Sequence, residues 1–198
     1  MKDKEKTEYI FNALKNYLTC WGKDKTNILF PELRLGSGFS SSAQRYIDLF
    51  SISSNAGNVT TAYEIKASRA DFIKDIKNAQ KQRGARLYSD YFYYVAPKGV
   101  INENEVPLWA GLMEIDIDNN SDYFRCVVDA PEITKENPSW RLICSIVRKV
   151  RDISGTLEFE NIKKENRQLK KTIEKLEREN KQLNELLDQK LFTPPHKH

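Results

Sequence analysis

The chain has 198 residues, of which 39% are hydrophobic and 30% are charged, and its net charge is +4. This composition excludes full disorder and leaves apolar material for one domain plus an appendage. The sequence lacks a membrane-spanning apolar run and a secretory signal, so we expect a soluble, cytoplasmic protein. The only histidines are His196 and His198, which excludes histidine-based hydrolases and histidine-ligated metal sites. Acid–base or metal chemistry would therefore depend on carboxylates and lysines.

The hydrophobic pattern before Gly155 predicts an α/β protein in which helices flank a mixed sheet. The predicted elements, in chain order, are an amphipathic helix over 7–21, strands over 28–35, 45–52 and 60–67, a helix from Ser68 to about Arg83, strands over 91–96, 111–117 and 123–128, and a helix over 141–150. A short turn makes the second and third strands an antiparallel hairpin. The fourth strand is apolar on both faces, which is typical of a central strand.

The composition changes at Gly155, and a separate coiled-coil helix is predicted over 155–192, before a disordered tail over 193–198. Heptad spacing favours a narrow apolar seam between two helices over a helix packed on its own domain. Asparagines within the seam favour a parallel homodimer, because each can bond its mate at the same level. The predicted dimerisation residues are Ile162, Asn166, Leu169, Ile173, Leu176, Asn180, Leu183 and Leu187.

Three charged residues on the predicted hairpin carry the chemistry of the sequence. Side chains alternate along a strand, so Asp48 would point away from the core side of Ile47 and Leu49, and Glu64 and Lys66 would emerge together. Paired carboxylates repel each other unless a proton or a cation neutralises them, and hard oxygen ligands suit Mg²⁺ or Mn²⁺. We therefore predict a metal site at which the lysine orients water or stabilises phosphate charge.

The acid-x-Lys pattern is weak by itself, because it occurs four times in the chain. Only Glu64-Ile-Lys66 lies on a predicted strand, whereas Asp75-Ile-Lys77 and the two later copies would be solvated charges on helices. The alternative for the strand residues is an ordinary ion cluster on a wet face of the sheet.

These residues resemble the PD-(D/E)XK nuclease superfamily, and their context is similar to its MmcB-like branch, which is linked to DNA repair and phage proteins. The resemblance covers about residues 5–150 and is carried by Arg45-Tyr-Ile-Asp48-Leu-Phe and Tyr63-Glu64-Ile-Lys66-Ala-Ser-Arg-Ala-Asp71-Phe. It implies a restriction-endonuclease-like fold, with Asp48, Glu64 and the Ile65 carbonyl as metal ligands and Lys66 as the catalytic lysine. Ile47 stands where the family name has proline.

Further residues could complete such a site. Members of the superfamily often add a glutamate, for which Glu32 is favoured here over Glu8. Residues 66–86 carry seven basic side chains against two aspartates, which favours a DNA-facing surface, although a solvated helix face would have the same pattern. The nucleic-acid-binding candidates are Arg45, Ser68, Arg69, Lys74, Lys77 and Lys81.

The sequence thus leads to a hypothesis of a Mg²⁺- or Mn²⁺-dependent DNA endonuclease domain over residues 1–154, dimerised by its coiled coil. Such an enzyme would act in DNA repair, recombination or phage DNA processing. The alternative is a catalytically silent or partner-dependent DNA-binding module that keeps the nuclease scaffold.

Overall fold

The computed structural model describes residues 2–21, 27–35, 45–55, 57–78, 81–119 and 123–191, except for the side chains of 20, 21, 157, 158, 180 and 183–191. The chain divides into two compact units, Met1–Val150 and Arg151–His198. The predicted tail over 193–198 lies outside the described residues.

The first unit follows the predicted order of helices and strands. Its elements are α1 (Asp3–Asn16, extended by a π-helical turn over Tyr17–Trp21), β1 (Asn27–Arg34), β2 (Tyr46–Ser53), β3 (Val59–Ile65), α2 (Arg69–Ile76), α3 (Arg83–Leu87), β4 (Tyr91–Pro97), a 3-10 turn (Glu103–Glu105), β5 (Gly111–Ile115), β6 (Phe124–Val128) and the start of α4 (Trp140–Leu191). The α/β class and the mixed sheet are therefore confirmed.

The six strands form one sheet in the order β1-β2-β3-β4-β5-β6. Strands β1, β2 and β3 pair antiparallel, as do β5 and β6. Strand β4 pairs parallel to both β3 and β5, and such connections need a crossover, which α2 and α3 supply between β3 and β4. The predicted β2–β3 hairpin and the central position of β4 are confirmed.

Helices cover both faces of this sheet, so it has a core on each side. On one face, Ile10 and Leu14 of α1 pack with Leu49, Tyr63 and Val95. The opposite core holds Phe72 of α2, Ala85 of α3 and Leu142 of α4 together with sheet residues such as Phe50, Phe92 and Tyr94. This two-sided burial explains why β4 is apolar on both of its faces.

The regular alternation of side chains between the two faces of the sheet is interrupted in β1 and β2, at the point where Glu32 and Asp48 lie opposite each other. Pro31 pairs with Leu49 and Leu33 pairs with Ile47, which leaves Glu32 and Asp48 between two regular pairs. The Glu32 backbone has a φ of 46°, in the left-handed region that side chains other than glycine disfavour. The prediction that Ile47 and Leu49 share one core side is therefore wrong, because Ile47 joins the α2-side core and Leu49 the α1-side core.

Two predicted helix boundaries are also wrong. The single helix expected from Ser68 ends at Ile76, and a separate α3 begins at Arg83, since the chain turns near Asn78, whose carbonyl accepts from Lys81 N. At the other end of the chain, α4 runs through Gly155 without a break, because a glycine weakens a helix interior without forbidding it. Within the described chain, no helix has the length and apolar character that crossing a bilayer requires.

Candidate active site

The three charged residues predicted on the hairpin come together at the β2–β3 pair. The pairing of Leu49 with Tyr63 places Asp48 next to Glu64 across the strands. Asp48 Oδ2 accepts a 2.8 Å hydrogen bond from the backbone N–H of Ile65. The Lys66 ammonium lies 2.8 Å from Glu64 Oε1.

Glu64 and Lys66 point to the same side of the sheet, but that side is not exposed to solvent. Glu64 is 5% exposed and Lys66 is 1% exposed, because Asp75 of α2 and Lys81 lie over this face. The expectation of a wet sheet face is therefore wrong, whereas an ion cluster, here a buried one, stays an alternative. A buried charge is costly unless it is paired, so these two groups depend on their partners.

Asp75 of α2 is the partner that the sequence analysis missed. Its Oδ1 lies 3.3 Å from Lys66 Nζ and 2.5 Å from Lys81 Nζ. Its Oδ2 accepts hydrogen bonds from Gln82 Nε2 at 2.7 Å and from the Tyr94 hydroxyl at 3.3 Å. Burial would raise the pKa of Asp75, but the hydrogen bonds from Lys81 and Gln82 and the charge of Lys66 outweigh burial and hold the pKa below its usual value.

The sequence did hold a signal for this buried acid. Asp75 follows Phe72 by three residues, and residues three apart on a helix share a face. A large apolar residue such as Phe72 belongs in the core, so Asp75 belonged on the buried side of α2 and not among the solvated charges. Gln82 gave no such signal, because its position depends on the turn between α2 and α3.

We call Asp48, Glu64, Lys66, Asp75 and Lys81 the carboxylate–lysine site. Within it, Asp48 is the carboxylate with the least compensation. Burial and the neighbouring charge of Glu64 raise the pKa of Asp48 to about 7, although the hydrogen bond from Ile65 and the charges of Lys66 and Lys81 lower it. An excess of negative charge at this point favours a proton or a cation.

The geometry leaves oxygen ligands for such a cation. In the part of the chain that the structure describes, no group of three or more His, Cys, Asp or Glu side chains forms a cage for a metal. Mg²⁺ is usually bound by one or two carboxylates, with waters and substrate phosphates as its other ligands. Asp48 accepts its hydrogen bond through Oδ2 and Glu64 through Oε1, so the second oxygen of each carboxylate suits a hard cation.

Both glutamates that could complete the site line one cavity. Glu8 of α1 and Glu32 of β1 share a cavity of about 340 Å³ with Asp48 and Ile65. Both glutamate side chains are exposed. The two candidates therefore open onto the same space beside Asp48.

The predicted DNA-binding residues lie in different surroundings. Arg69 makes two hydrogen bonds to the Glu105 carboxylate, at 2.8 and 2.5 Å. Ser68 caps α2 by its extended backbone conformation but makes no side-chain cap hydrogen bond. Lys74 and Lys77 are exposed and line a shallow surface cavity with Arg69.

Two of these candidates need separate comment. Arg45 is exposed just before β2. Lys81 belongs to the carboxylate–lysine site and not to a row with Lys74 and Lys77, because its ammonium contacts Asp75 and also lies 3.4 Å from Glu64.

A second charged cluster occurs at the opposite ends of β3 and β4. Asp90 Oδ2 accepts hydrogen bonds from Thr60 N at 2.7 Å and from the Thr60 hydroxyl at 3.0 Å. The Lys135 ammonium lies 2.6 Å from the same oxygen. Burial would raise the pKa of Asp90, but Lys135 and Thr60 lower it below its usual value. We call Thr60, Asp90 and Lys135 the Asp90 cluster.

The predicted dimerisation residues lie along α4 in the second unit. Ile162, Leu169, Ile173 and Leu176 are each about half exposed, and Asn166 is exposed. The side chains of Asn180, Leu183 and Leu187 lie outside the described part of the structure.

The comparisons with known proteins bear on the fold. No family model matches the sequence, and no curated protein is significantly similar to it. Among solved structures, the SPO1766 protein of unknown function from Silicibacter pomeroyi is similar, with a TM-score of 0.54 and 17% identity. The match covers 80% of this chain and 90% of that chain. At this identity the likeness establishes the fold alone.

Proposed function

We propose that the chain is a divalent-metal-dependent nuclease that hydrolyses phosphodiester bonds of DNA. The observation that carries this proposal is the convergence of Asp48, Glu64 and Lys66 from two neighbouring strands, with the pKa of Asp48 raised to about 7. The motif resemblance to the PD-(D/E)XK nucleases, of MmcB-like type, and a mixed sheet flanked by helices support the same conclusion.

The Asp48 and Glu64 carboxylates would hold Mg²⁺ or Mn²⁺, with the Ile65 carbonyl as a further ligand. Such an ion supplies a Lewis acid for the phosphodiester and lowers the pKa of a bound water. Glu32 or Glu8 could accept the proton that the attacking water loses, because both open onto the cavity beside Asp48.

Lys66 would stabilise the negative charge that develops on the phosphate in the transition state. Its ammonium donates to Glu64 and also lies within 4.0 Å of the Asp75 and Asp71 carboxylates. Because Lys66 is buried, it would reach a substrate phosphate only by exchanging one of these partners, of which Asp71 is the most distant and the most exposed. Asp75 and Gln82 are positioning residues in this scheme, because Gln82 holds Asp75 and Asp75 holds Lys66.

The exposed Lys74 and Lys77 would contact the DNA backbone beyond the scissile phosphate. Within the described residues neither lysine makes an ion pair, so little would be lost when they exchange counterions for phosphates. Arg69 is paired with Glu105, so it would reach a phosphate only by exchanging that carboxylate.

One observation favours a second candidate, a DNA-binding module without catalysis. Lys66 is almost fully buried and ion-paired with three carboxylates, which is also the arrangement of a structural ion cluster. In that case the protein would bind DNA through its exposed lysines while Asp48 and Glu64 bind no metal.

The deciding experiment measures cleavage of linear, nicked, branched and single-stranded DNA with Mg²⁺ or Mn²⁺. The parent should cleave at least one substrate, and Asp48→Asn should lower the rate at least a hundredfold, since even indirect partners of a metal contribute about 10- to 100-fold. Asp118→Asn, a change of an exposed carboxylate outside the site, should cleave like the parent.

Calorimetry with Mn²⁺ separates the two candidates. The nuclease should bind the ion in the parent and lose binding in Asp48→Asn. DNA binding without ion binding or cleavage would favour the silent module. Equal cleavage by the parent and Asp48→Asn would exclude the proposed site.

A further inference from the structure

The second unit presents a row of apolar side chains that the described part of its own chain does not cover. Phe159, Ile162, Leu169, Ile173 and Leu176 are between 50% and 65% exposed. Their spacing alternates between three and four residues once Asn166 is included, and this keeps them on one narrow stripe of α4. An apolar stripe of this length on a long helix marks an interaction surface.

We propose that the occupant of this stripe is α4 of a second copy of the chain, in parallel orientation and in register. The proposal does not depend on the nuclease assignment. The narrow width of the stripe fits one helix of the same kind, whereas packing against a sheet or a globular core requires a wider apolar face.

The asparagines of the stripe select the orientation. In a parallel, in-register pair, Asn166 meets Asn166 and Asn180 meets Asn180, so their amides can bond each other. In an antiparallel pair of the same overlap, heptad positions place Asn166 against Leu183 and Asn180 against Leu169. Each buried amide would then lack a partner, which is costly.

The charges beside the stripe select the same partner. In the parallel arrangement Glu165 of one copy stands next to Lys170 of the other, at the flanking heptad positions. Neither residue makes an ion pair within the described part of its own chain, so both are available. The two-fold axis repeats this pair, so a parallel dimer would contain two Glu165–Lys170 ion pairs between its copies.

The first test is the mass of the full chain by sedimentation equilibrium. The parent should be a dimer, and Leu169→Glu should shift it to monomer by placing two carboxylates in the seam. Gln168→Glu adds the same charge one residue earlier, off the stripe, and should remain dimeric. A monomeric parent, or a Leu169→Glu protein as dimeric as the parent, would overturn the proposal.

The second test reads the orientation. Phe159→Cys is introduced into a full chain whose Cys20, Cys126 and Cys144 are changed to serine, and the protein is oxidised. A parallel pair brings the two new thiols together and should give a covalent dimer. In the antiparallel pair they stand roughly 45 Å apart, at about 1.5 Å of rise per residue. A dimer that does not cross-link, or a cross-linked species larger than a dimer, would refute the parallel two-stranded assembly.

Discussion

The two charged clusters of the first unit use the same residue types to opposite effect. In the Asp90 cluster, one carboxylate receives three donors, and the pKa of Asp90 falls below its usual value. In the carboxylate–lysine site, Asp48 lies beside Glu64, and its pKa rises to about 7. In the Asp90 cluster, protein donors alone compensate the carboxylate charge. The carboxylate–lysine site carries more negative charge than its lysines neutralise, which is the state expected of a site that receives a cation.

The largest expected effect comes from a substitution within the carboxylate–lysine site. Lys66→Met should lower the free energy of unfolding by about 3 kcal/mol, because it removes the buried ammonium from Glu64 and Asp75 and leaves only the half-exposed Lys81 to compensate them. Urea denaturation measures this loss, and Lys98→Met, at an exposed position, is the control. Added Mn²⁺ should restore part of the stability of Lys66→Met if the carboxylates accept a cation. Equal unfolding midpoints for Lys66→Met and the parent would contradict the account.

The pH dependence of unfolding sharpens the comparison, because a rise in pH should lower the stability that depends on Asp48 and raise the stability that depends on Asp90. Between about pH 4 and pH 7 the unfolded Asp48 has lost its proton while the folded one keeps it, so without metal the free energy of unfolding falls as pH rises, by a few kcal/mol at most. For Asp90 the unfolded state takes up a proton first, so stability is lost as pH falls below about 4.

Urea unfolding in the presence of a chelator, repeated across this pH range, measures both the decline in stability toward neutral pH and the loss of stability in acid. Asp48→Asn should flatten the decline toward neutral pH, and Asp90→Asn should reduce the loss in acid. An unchanged slope below pH 7 in Asp48→Asn would mean that the Asp48 carboxylate is ionised at lower pH than its surroundings indicate.

A smaller loss of stability is expected when Lys135 is removed from the Asp90 cluster. Lys135→Met removes the ammonium from Asp90 but leaves both hydrogen bonds from Thr60. Since Lys135 is about one-third exposed, the loss should be only about 1 kcal/mol. Thermal unfolding measures it, and Mn²⁺ should not restore it, in contrast to Lys66→Met. A loss as large as that of Lys66→Met would remove the distinction between the clusters.

The smallest effect concerns lysines that belong to neither cluster. Lys77→Ala should weaken DNA binding uniformly across sequences and reduce the salt dependence of the binding constant by about one phosphate contact. Fluorescence anisotropy at several salt concentrations measures the slope. Lys98→Ala is the control, and an identical slope for Lys77→Ala and the parent would place the DNA elsewhere.

Local hydrophobic pattern sufficed to predict all six strands to within a few residues, because a strand in a two-layer core must alternate or be apolar throughout. It did not predict the parallel pairing of β4 with β3 and β5, which depends on contacts distant in sequence. The end of α2 was missed for the same reason. The turn at Asn78 brings Lys81 and Gln82 back to Asp75, where both donate hydrogen bonds. The spacing of residues along a helix does not predict such hydrogen bonds.

The site was predictable where it followed strand geometry and not where it depended on tertiary packing. The proximity of Glu64 and Lys66 follows from the period of two along β3. The burial of both, and the role of Asp75, follow from the packing of α2 on the sheet. Lys81 is exposed, as a surface lysine should be, but its ammonium contacts Asp75 and Glu64. Helical spacing could not show these contacts, because α2 ends before Lys81.

The left-handed backbone of Glu32 has a consequence for attempts to engineer this protein. A glycine tolerates that conformation, whereas a residue with a Cβ gives up about 1–2 kcal/mol there. A selection for heat resistance would therefore tend to enrich Glu32→Gly and discard a carboxylate that borders the cavity beside Asp48. Laboratory evolution of this chain should screen for turnover alongside melting temperature, or hold position 32 fixed.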